Sequence, residues 1–238
     1  MVVFNEADHT YKDQATGKYY TSISKLLSLY KEPFDADFHA ARKAKKEGIT
    51  KEEMLKRWAD NTTKACNKGT QIHDIIESYL TTGEVVDEKM ISDFNSVFDR
   101  RDFKLVRSEY ILWNDMYEIA GTSDMICDVN NDVFDVYDFK TNKKFLFDSP
   151  YGKYLKTPLN NLQECQYNSY SLQLSLYAYM YSGYSNKKVR KICILYHDGE
   201  KFHKYPVPYL FWEVSALLKH FVNNHGQHTT EQDKIAIS

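Results

Sequence analysis

The chain has 238 residues, of which 42% are hydrophobic and 27% charged, so it is long enough for one large folded domain and is not a disordered chain. The formal net charge of −2 excludes the strongly basic character typical of many nucleic-acid-binding proteins. No run of about 18 apolar residues and no cationic-then-apolar leader is present, so we expect a cytoplasmic protein with no membrane partner.

Four cysteines are scattered along the chain and none forms a Cys-x-x-Cys pair: Cys66, Cys127, Cys165 and Cys193. This spacing excludes a zinc finger and predicts reduced thiols with structural roles.

The first third of the sequence predicts a strand hairpin followed by helices. Residues 1–20 predict short strands, and Ser22 or Ser24 is a candidate cap for the next helix. Further helices are predicted over 35–47, 50–60, 62–80 and 84–100, with a capping box formed by Thr50 and Glu53. Nine Lys or Arg residues and four Asp or Glu residues lie within 40–68, so this helical region is locally basic. A solvated helix face would explain the same pattern.

The rest of the chain alternates strands and helices. Three strands are predicted over 103–113, 117–129 and 133–140, followed by a loop over 145–162 and a long helix that ends at Gly183. Two strands flank the turn "HDGE", and a helix over 209–224 precedes the tail. This order predicts a single α/β domain over 1–238: N-terminal strands and helical cover (1–68), core (69–222) and flexible tail (223–238).

The strand "VFDVYDFK" carries two charges at its end, which are costly in an apolar strand unless they are paired or used. Asp138 and Lys140 share a face, and Asp124 in "GTSDMI" lies on the preceding strand, across a short turn. Two adjacent carboxylates repel unless a cation bridges them, and oxygen ligands suit Mg²⁺ or Mn²⁺. A buried salt bridge is the competing interpretation.

Two helices add candidate residues. His73 and Glu77 lie one turn apart in "GTQIHDIIESYL", after Gly69, and Gln173 and Tyr177 lie one turn apart in "QLSLY". Taken alone, a single His such as His73 is more often a packing residue, and core packing is a sufficient explanation for Tyr177.

The ordered set "GTQIH", Glu109, "GTSD", "DFK" and "QLSLY" resembles the RecB-like branch of the PD-(D/E)xK nucleases. It is most similar to the mitochondrial genome maintenance exonuclease group and its phage relatives. "TSISKLL", Trp58, "ILYHDGEKFHKY" and "FWEVSALL" extend the resemblance over roughly residues 20–222.

The resemblance implies a PD-(D/E)xK nuclease domain with a central mixed sheet flanked by helices. It implies metal ligation by His73, Asp124, Asp138 and the Phe139 carbonyl, with Glu77 as a further candidate, and a catalytic role for Lys140. Glu109 would be a supporting acidic residue. The residues that would contact DNA are Gln173, Tyr177, Thr141 and Trp58. Some relatives hold an iron–sulfur cluster on four cysteines, but no cysteine cluster follows Gln173, so none is expected here.

The expected activity is Mg²⁺- or Mn²⁺-dependent hydrolysis of DNA, from a free end of a single strand, leaving 5′-phosphates in a bacterial or phage-infected cell. Because His73 must be neutral to bind metal, activity is expected to fall below about pH 6.5. A double-strand recombination exonuclease and a structure-specific endonuclease remain alternatives, as does a non-catalytic DNA-binding or inhibitor protein. Replication or recombination proteins are candidate partners.

The basic helices are expected to cover the site and admit one strand more readily than a duplex. The side chains expected to line that passage are Lys43, Lys45, Lys46, Arg57, Lys64 and Lys68.

Overall fold

The computed structural model describes residues 1–6 and 8–225. The strands are β1 (Val2–Asn5), β2 (Thr10–Asp13), β3 (Tyr19–Ser22), β4 (Leu105–Asn114), β5 (Ile119–Asp128), β6 (Val133–Lys140), β7 (Lys188–His197) and β8 (Phe202–Val207). The helices are α1 (Ile23–Ser28), α2 (Ala36–Glu47), α3 (Lys51–Thr82), α4 (Glu88–Val97), α5 (Gln166–Ser185) and α6 (Phe211–His225), with a 3-10 turn over Arg100–Asp102.

Within the described residues, these eight strands form one mixed sheet in the order β1-β2-β3-β5-β6-β7-β8, with β4 paired to β5. Strand β4 pairs along the whole of β5, so it occupies one edge of that strand. On the other edge, β3 runs parallel to the start of β5 and β6 runs antiparallel to its end. The two neighbours leave a gap on this edge of β5, and the candidate site lies there.

Helices cover both faces of the sheet. Alternate residues of β6 face opposite sides, so Phe134 and Val136 pack against α1, α5 and α6, whereas Tyr137 and Phe139 pack against α3 and α4. This arrangement confirms the predicted α/β class with a central mixed sheet flanked by helices. No helix in the described ranges has the length and apolar composition needed to cross a bilayer.

The two helices predicted over 50–60 and 62–80 are one helix, α3. Its capping box is present as predicted, with reciprocal hydrogen bonds between Thr50 and Glu53. The expected break near residue 61 is absent because the hydroxyls of Thr62 and Thr63 donate to carbonyls one turn earlier and so fit within the helix.

Other boundaries also differ from the predictions. Helix α4 is shorter than 84–100, because Asp87 caps its start. Helix α5 begins after Cys165 and continues past Gly183 to Ser185, where Asn186 adopts the left-handed conformation that closes it. Residues 223–225 belong to α6 rather than to a tail, and the remaining tail prediction, 226–238, lies outside the described residues.

Helix α2 and the first half of α3 form a hairpin with its own small core of Ala40, Ala44 and Met54. All residues over 59–68 are exposed, and at the end of this range the Lys68 ammonium group lies close to Gly199 in the β7–β8 turn. At 1.5 Å per residue these ten residues extend about 15 Å. The helical N-terminal region is therefore a hairpin that projects along α3, and its role as a cover of the candidate site stays a prediction.

Candidate metal and catalytic site

The gap on β5 opens where β5 and β6 separate. The last paired residues of the two strands are Met125 and Tyr137, so Asp124 and Asp138 are opposite each other one step further along. Instead of a backbone pair at this point, an Asp124 carboxylate oxygen accepts the backbone N–H of Phe139 at 2.6 Å. This hydrogen bond fixes the Asp124 carboxylate between the two strands.

A third carboxylate lies on the other side of Asp124. The register of β4 with β5 sets Glu109 directly opposite Asp124, between the pairs Ser108–Met125 and Tyr110–Ser123. Glu109 does not join the ladder, and its backbone is left-handed, with φ of 46°. Left-handed backbone is uncommon for a glutamate within a strand and is costly unless its surroundings hold it. Glu109, Asp124 and Asp138 thus form a row across three neighbouring strands.

His73 approaches this row from α3. Its Nδ1 is 3.8 Å from Glu109 Oε1 and 3.8 Å from Asp124 Oδ2. Its ring packs edge-on against Phe139, with centroids 5.4 Å apart. Ligand atoms of His73, Glu109 and Asp124 all lie within 4.8 Å of one another, so this group has the donors and the spacing for a divalent cation.

The electrostatics also favour a cation at this position. Burial raises the pKa of Asp124, and burial together with the charge of Asp124 raises the pKa of Asp138. Burial acts to lower the pKa of His73, but its interactions with Glu109, Asp124 and Asp138 outweigh this effect and raise the pKa to about 9. In the metal-free protein the His73 proton therefore offsets part of the negative charge.

Lys140 lies beside Asp138. Its ammonium group forms an ion pair with an Asp138 carboxylate oxygen and lies 4.8 Å from the ring centre of Tyr170 on α5. Burial would lower the pKa of Lys140, but the charges of Asp138 and Asp124 dominate and raise it. Lys140 is therefore held protonated and in direct contact with Asp138, whereas His73 interacts with Asp138 at longer range.

Gln173 and Tyr177 line the same region from α5. The Gln173 side-chain amide donates to the Tyr177 hydroxyl at 3.1 Å, and buried Tyr177 interacts electrostatically with Asp138 and Asp124. Tyr177 packs closely on Gly121, where a Cβ atom would lie 2.8 Å from the tyrosine ring. The glycine of "GTSD" therefore permits the close approach of α5.

The other predicted residues lie at varying positions around this centre. Glu77 is half-buried, and the nearby Glu109 contributes to raising its pKa after the larger effect of burial. The Thr141 hydroxyl lies against Gly69 of α3, whereas Trp58 packs in the α2–α3 hairpin. The lysines at 43, 45, 46, 64 and 68 are all exposed, and Lys43 pairs with Glu47. Metal ligation by Asp138, Glu77 and the Phe139 carbonyl stays a prediction.

Two residues lie closer to the candidate site than the sequence indicated. Glu109 was expected only to support the site, yet it belongs to the group suited to a cation. Counting the register back from the "WNDMY" turn would have set it opposite Asp124. Tyr170 was not predicted, and its contact with Lys140 depends on how α5 packs on the sheet.

No family model matches this chain, and no curated protein is detectably similar to it. Among solved structures, the chain is similar to a protein named SSO0001, with 16% identity, a TM-score of 0.38, and coverage of 87% of this chain and 84% of that one. It is also similar to a protein from Eubacterium rectale named "Putative exonuclease", with 11% identity, a TM-score of 0.36, and coverage of 86% and 70%.

Proposed function

We propose that this protein is a nuclease that uses a divalent metal ion to hydrolyse phosphodiester bonds. The observation that supports the proposal most is the row of Glu109, Asp124 and Asp138 across three strands, with His73 at one side and Lys140 at the other. A purely structural salt bridge would account for Asp138 and Lys140. It would not account for two further carboxylates and a histidine converging on the same point.

His73, Glu109 and Asp124 would hold the ion, because their donor atoms already converge. When bound, Mg²⁺ or Mn²⁺ would polarise the phosphodiester and lower the pKa of a water ligand. The site fits such an ion through its two carboxylates, which supply the oxygen donors that Mg²⁺ and Mn²⁺ prefer, and His73 adds one nitrogen donor.

Lys140 would act as a fixed cation rather than as the base that removes a proton. Its raised pKa keeps the ammonium group protonated at neutral pH, and Asp138 holds it in place. A protonated lysine can orient a water molecule through hydrogen bonds and offset the charge that develops on a phosphate. Asp138 would then serve mainly to position Lys140 beside the scissile bond.

The substrate is proposed to be single-stranded DNA with a free end, and the products 5′-phosphates. Two features support this choice: the resemblance of the ordered motifs and the basic hairpin of α2 and α3 beside the site. Lys45, Lys46 and Lys64 form no ion pair within the described part of the chain, so their charges are free to attract phosphates.

Digestion of end-labelled linear and covalently closed single strands, each with Mg²⁺, Mn²⁺ or EDTA, tests this function. We expect metal-dependent degradation of the linear strand and survival of the circle. Rapid cleavage of the circular strand would show that the protein is an endonuclease rather than an exonuclease. Preferential digestion of linear duplex would favour a recombination exonuclease, and absence of cleavage with both metals would contradict the proposal.

A further inference from the structure

A cavity of about 190 Å³ lies next to the candidate catalytic site. One wall is formed by aromatic residues of the β1–β2 hairpin, Phe4 and Tyr11, whose ring centres are 4.8 Å apart. The opposite wall contains Gln173 and Tyr177 of α5. Tyr177 and Gly121 link the cavity to the catalytic residues, because the Tyr177 ring packs closely on Gly121, three residues before Asp124 on β5, and Tyr177 interacts electrostatically with Asp138 and Asp124.

The floor of the cavity contains the "TSIS" segment, which the proposed chemistry leaves without a role. Ser22 ends β3, pairs in parallel with Ala120 of β5, and caps α1 by accepting the Lys25 backbone N–H. Its hydroxyl lies 3.2 Å from that of Ser24. Strand pairing thus sets both serine hydroxyls beside Gly121, three residues before Asp124.

The lining indicates which part of a nucleic acid would fit. His9 lines the cavity but neither lysine nor arginine does, so it lacks the permanent cations that most often hold a phosphate group. Aromatic rings and neutral hydrogen-bonding groups are what proteins use for unpaired bases, which stack on their faces and bond at their edges. A base that entered here would have to be unpaired.

We infer that this cavity binds the base of a nucleotide adjacent to the bond that is cut. The inference rests on the proposed nuclease function and adds a base-binding position to it. It provides a physical reason for single-strand preference, since a duplex would have to open before a base could enter.

Abasic scanning tests the inference. A set of linear single strands, each with one abasic nucleotide at a different position, is digested with Mn²⁺ by the wild-type protein and by Ser24→Tyr and Ser28→Tyr. The tyrosine at 24 would fill the cavity, whereas Ser28 lies one turn further along α1, is exposed, and is outside the cavity. Anisotropy measurements with the same strands in Ca²⁺ record binding without cleavage.

For the wild type, we expect cleavage and binding to weaken roughly tenfold when the abasic nucleotide occupies one defined position near the cut. Ser24→Tyr should bind and cleave the intact strand more weakly by a similar factor. Its binding and cleavage should no longer depend on the position of the abasic nucleotide, whereas Ser28→Tyr should behave as wild type. Equal binding and cleavage of intact and abasic strands at every position would overturn the inference and leave the nuclease proposal standing. Binding that still depends on one position, without any cleavage, would support the cavity and contradict the nuclease.

Discussion

At the scale of single residues, Glu109 is the position where backbone and chemistry are most closely linked. Its left-handed backbone costs of order 1–3 kcal/mol in a non-glycine residue, and it points a carboxylate at His73. Such strain is retained in proteins where the surrounding structure requires the geometry. The left-handed backbone and the spacing of Glu109 to His73 and Asp124 are together consistent with the proposed role of Glu109 as a metal ligand.

Glu109→Gln should lower the affinity for Mn²⁺ by about 10- to 100-fold, because it removes one anionic donor from the group. Calorimetric titration of the metal measures this effect. Glu118→Gln is the matched control, since Glu118 also has a left-handed backbone, with φ of 52°, but ion-pairs with Lys18 rather than His73. Equal affinities for the two variants would remove Glu109 from the metal site.

The pKa of His73 sets the pH dependence of metal binding. Because the metal-free pKa is raised to about 9, metal must displace a proton at any lower pH, and affinity should rise about tenfold per pH unit up to pH 9. In the absence of metal the same shift stabilises the fold, fully below about pH 6.5 and progressively less as pH rises through 9. The pH below which metal binding weakens is therefore well above the pH 6.5 expected for an ordinary histidine.

Mg²⁺ titrations between pH 6 and 10, with wild type and His73→Gln, measure this dependence. The wild-type affinity should level off only near pH 9, and the variant should bind weakly with little change over the range. A wild-type plateau that begins near pH 6.5 would show that the carboxylates do not raise the His73 pKa.

At the scale of elements, the packing of α5 on β5 depends on Gly121. A Cβ atom there would lie 2.8 Å from the Tyr177 ring and 3.1 Å from Ile23 Cδ1, and both side chains are buried. Gly121→Ala should therefore lower stability by about 1–3 kcal/mol and reduce cleavage through displacement of Tyr177.

Gly183→Ala provides the opposite control on α5. No atom lies within 4 Å of a Cβ at Gly183, which is exposed and inside the helix, so alanine should stabilise by about 0.5–1 kcal/mol. Thermal unfolding of both variants distinguishes the effects. A Gly121→Ala protein as stable as wild type would show that α5 does not pack tightly on β5.

The sequence predicted these elements where local signals were strong. The capping box of Thr50 and the short turn that brings Asp124 opposite Asp138 were both available from local patterns. The end of α5 was misjudged because Gly183 fits inside a helix and Asn186 can also adopt the left-handed conformation. The register from the "WNDMY" turn places Glu109 opposite Asp124, but no local pattern signals its left-handed backbone.

At the scale of the whole molecule, the net charge is only −2, but the charged residues are unevenly distributed. The projecting hairpin carries exposed lysines without ion pairs, whereas the site itself is acidic. This separation is suited to a strand whose phosphates are attracted by the hairpin and neutralised at the site by a metal ion.

Charge reversal of Lys45, Lys46 and Lys64 to Glu should weaken single-strand binding and flatten its salt dependence, while leaving Mn²⁺ affinity unchanged. The matched control reverses three other exposed lysines, Lys188, Lys191 and Lys219. It changes the net charge by the same amount but outside the hairpin. Binding measured by anisotropy at several salt concentrations compares the two triple variants. Equal losses would indicate a general charge effect and no role for the hairpin.

Single-turnover cleavage of an end-labelled linear strand in Mg²⁺ tests the central claim most directly, with wild type, Lys140→Ala and Lys143→Ala compared. Lys143 is exposed, lies three residues further along the chain, and serves as the matched control. Loss of the Lys140 ammonium beside Asp138 should slow cleavage by about 100-fold or more, while Lys143→Ala cleaves as wild type and EDTA stops all three proteins. Cleavage by Lys140→Ala at the wild-type rate, or cleavage that persists in EDTA, would contradict the assignment of this site.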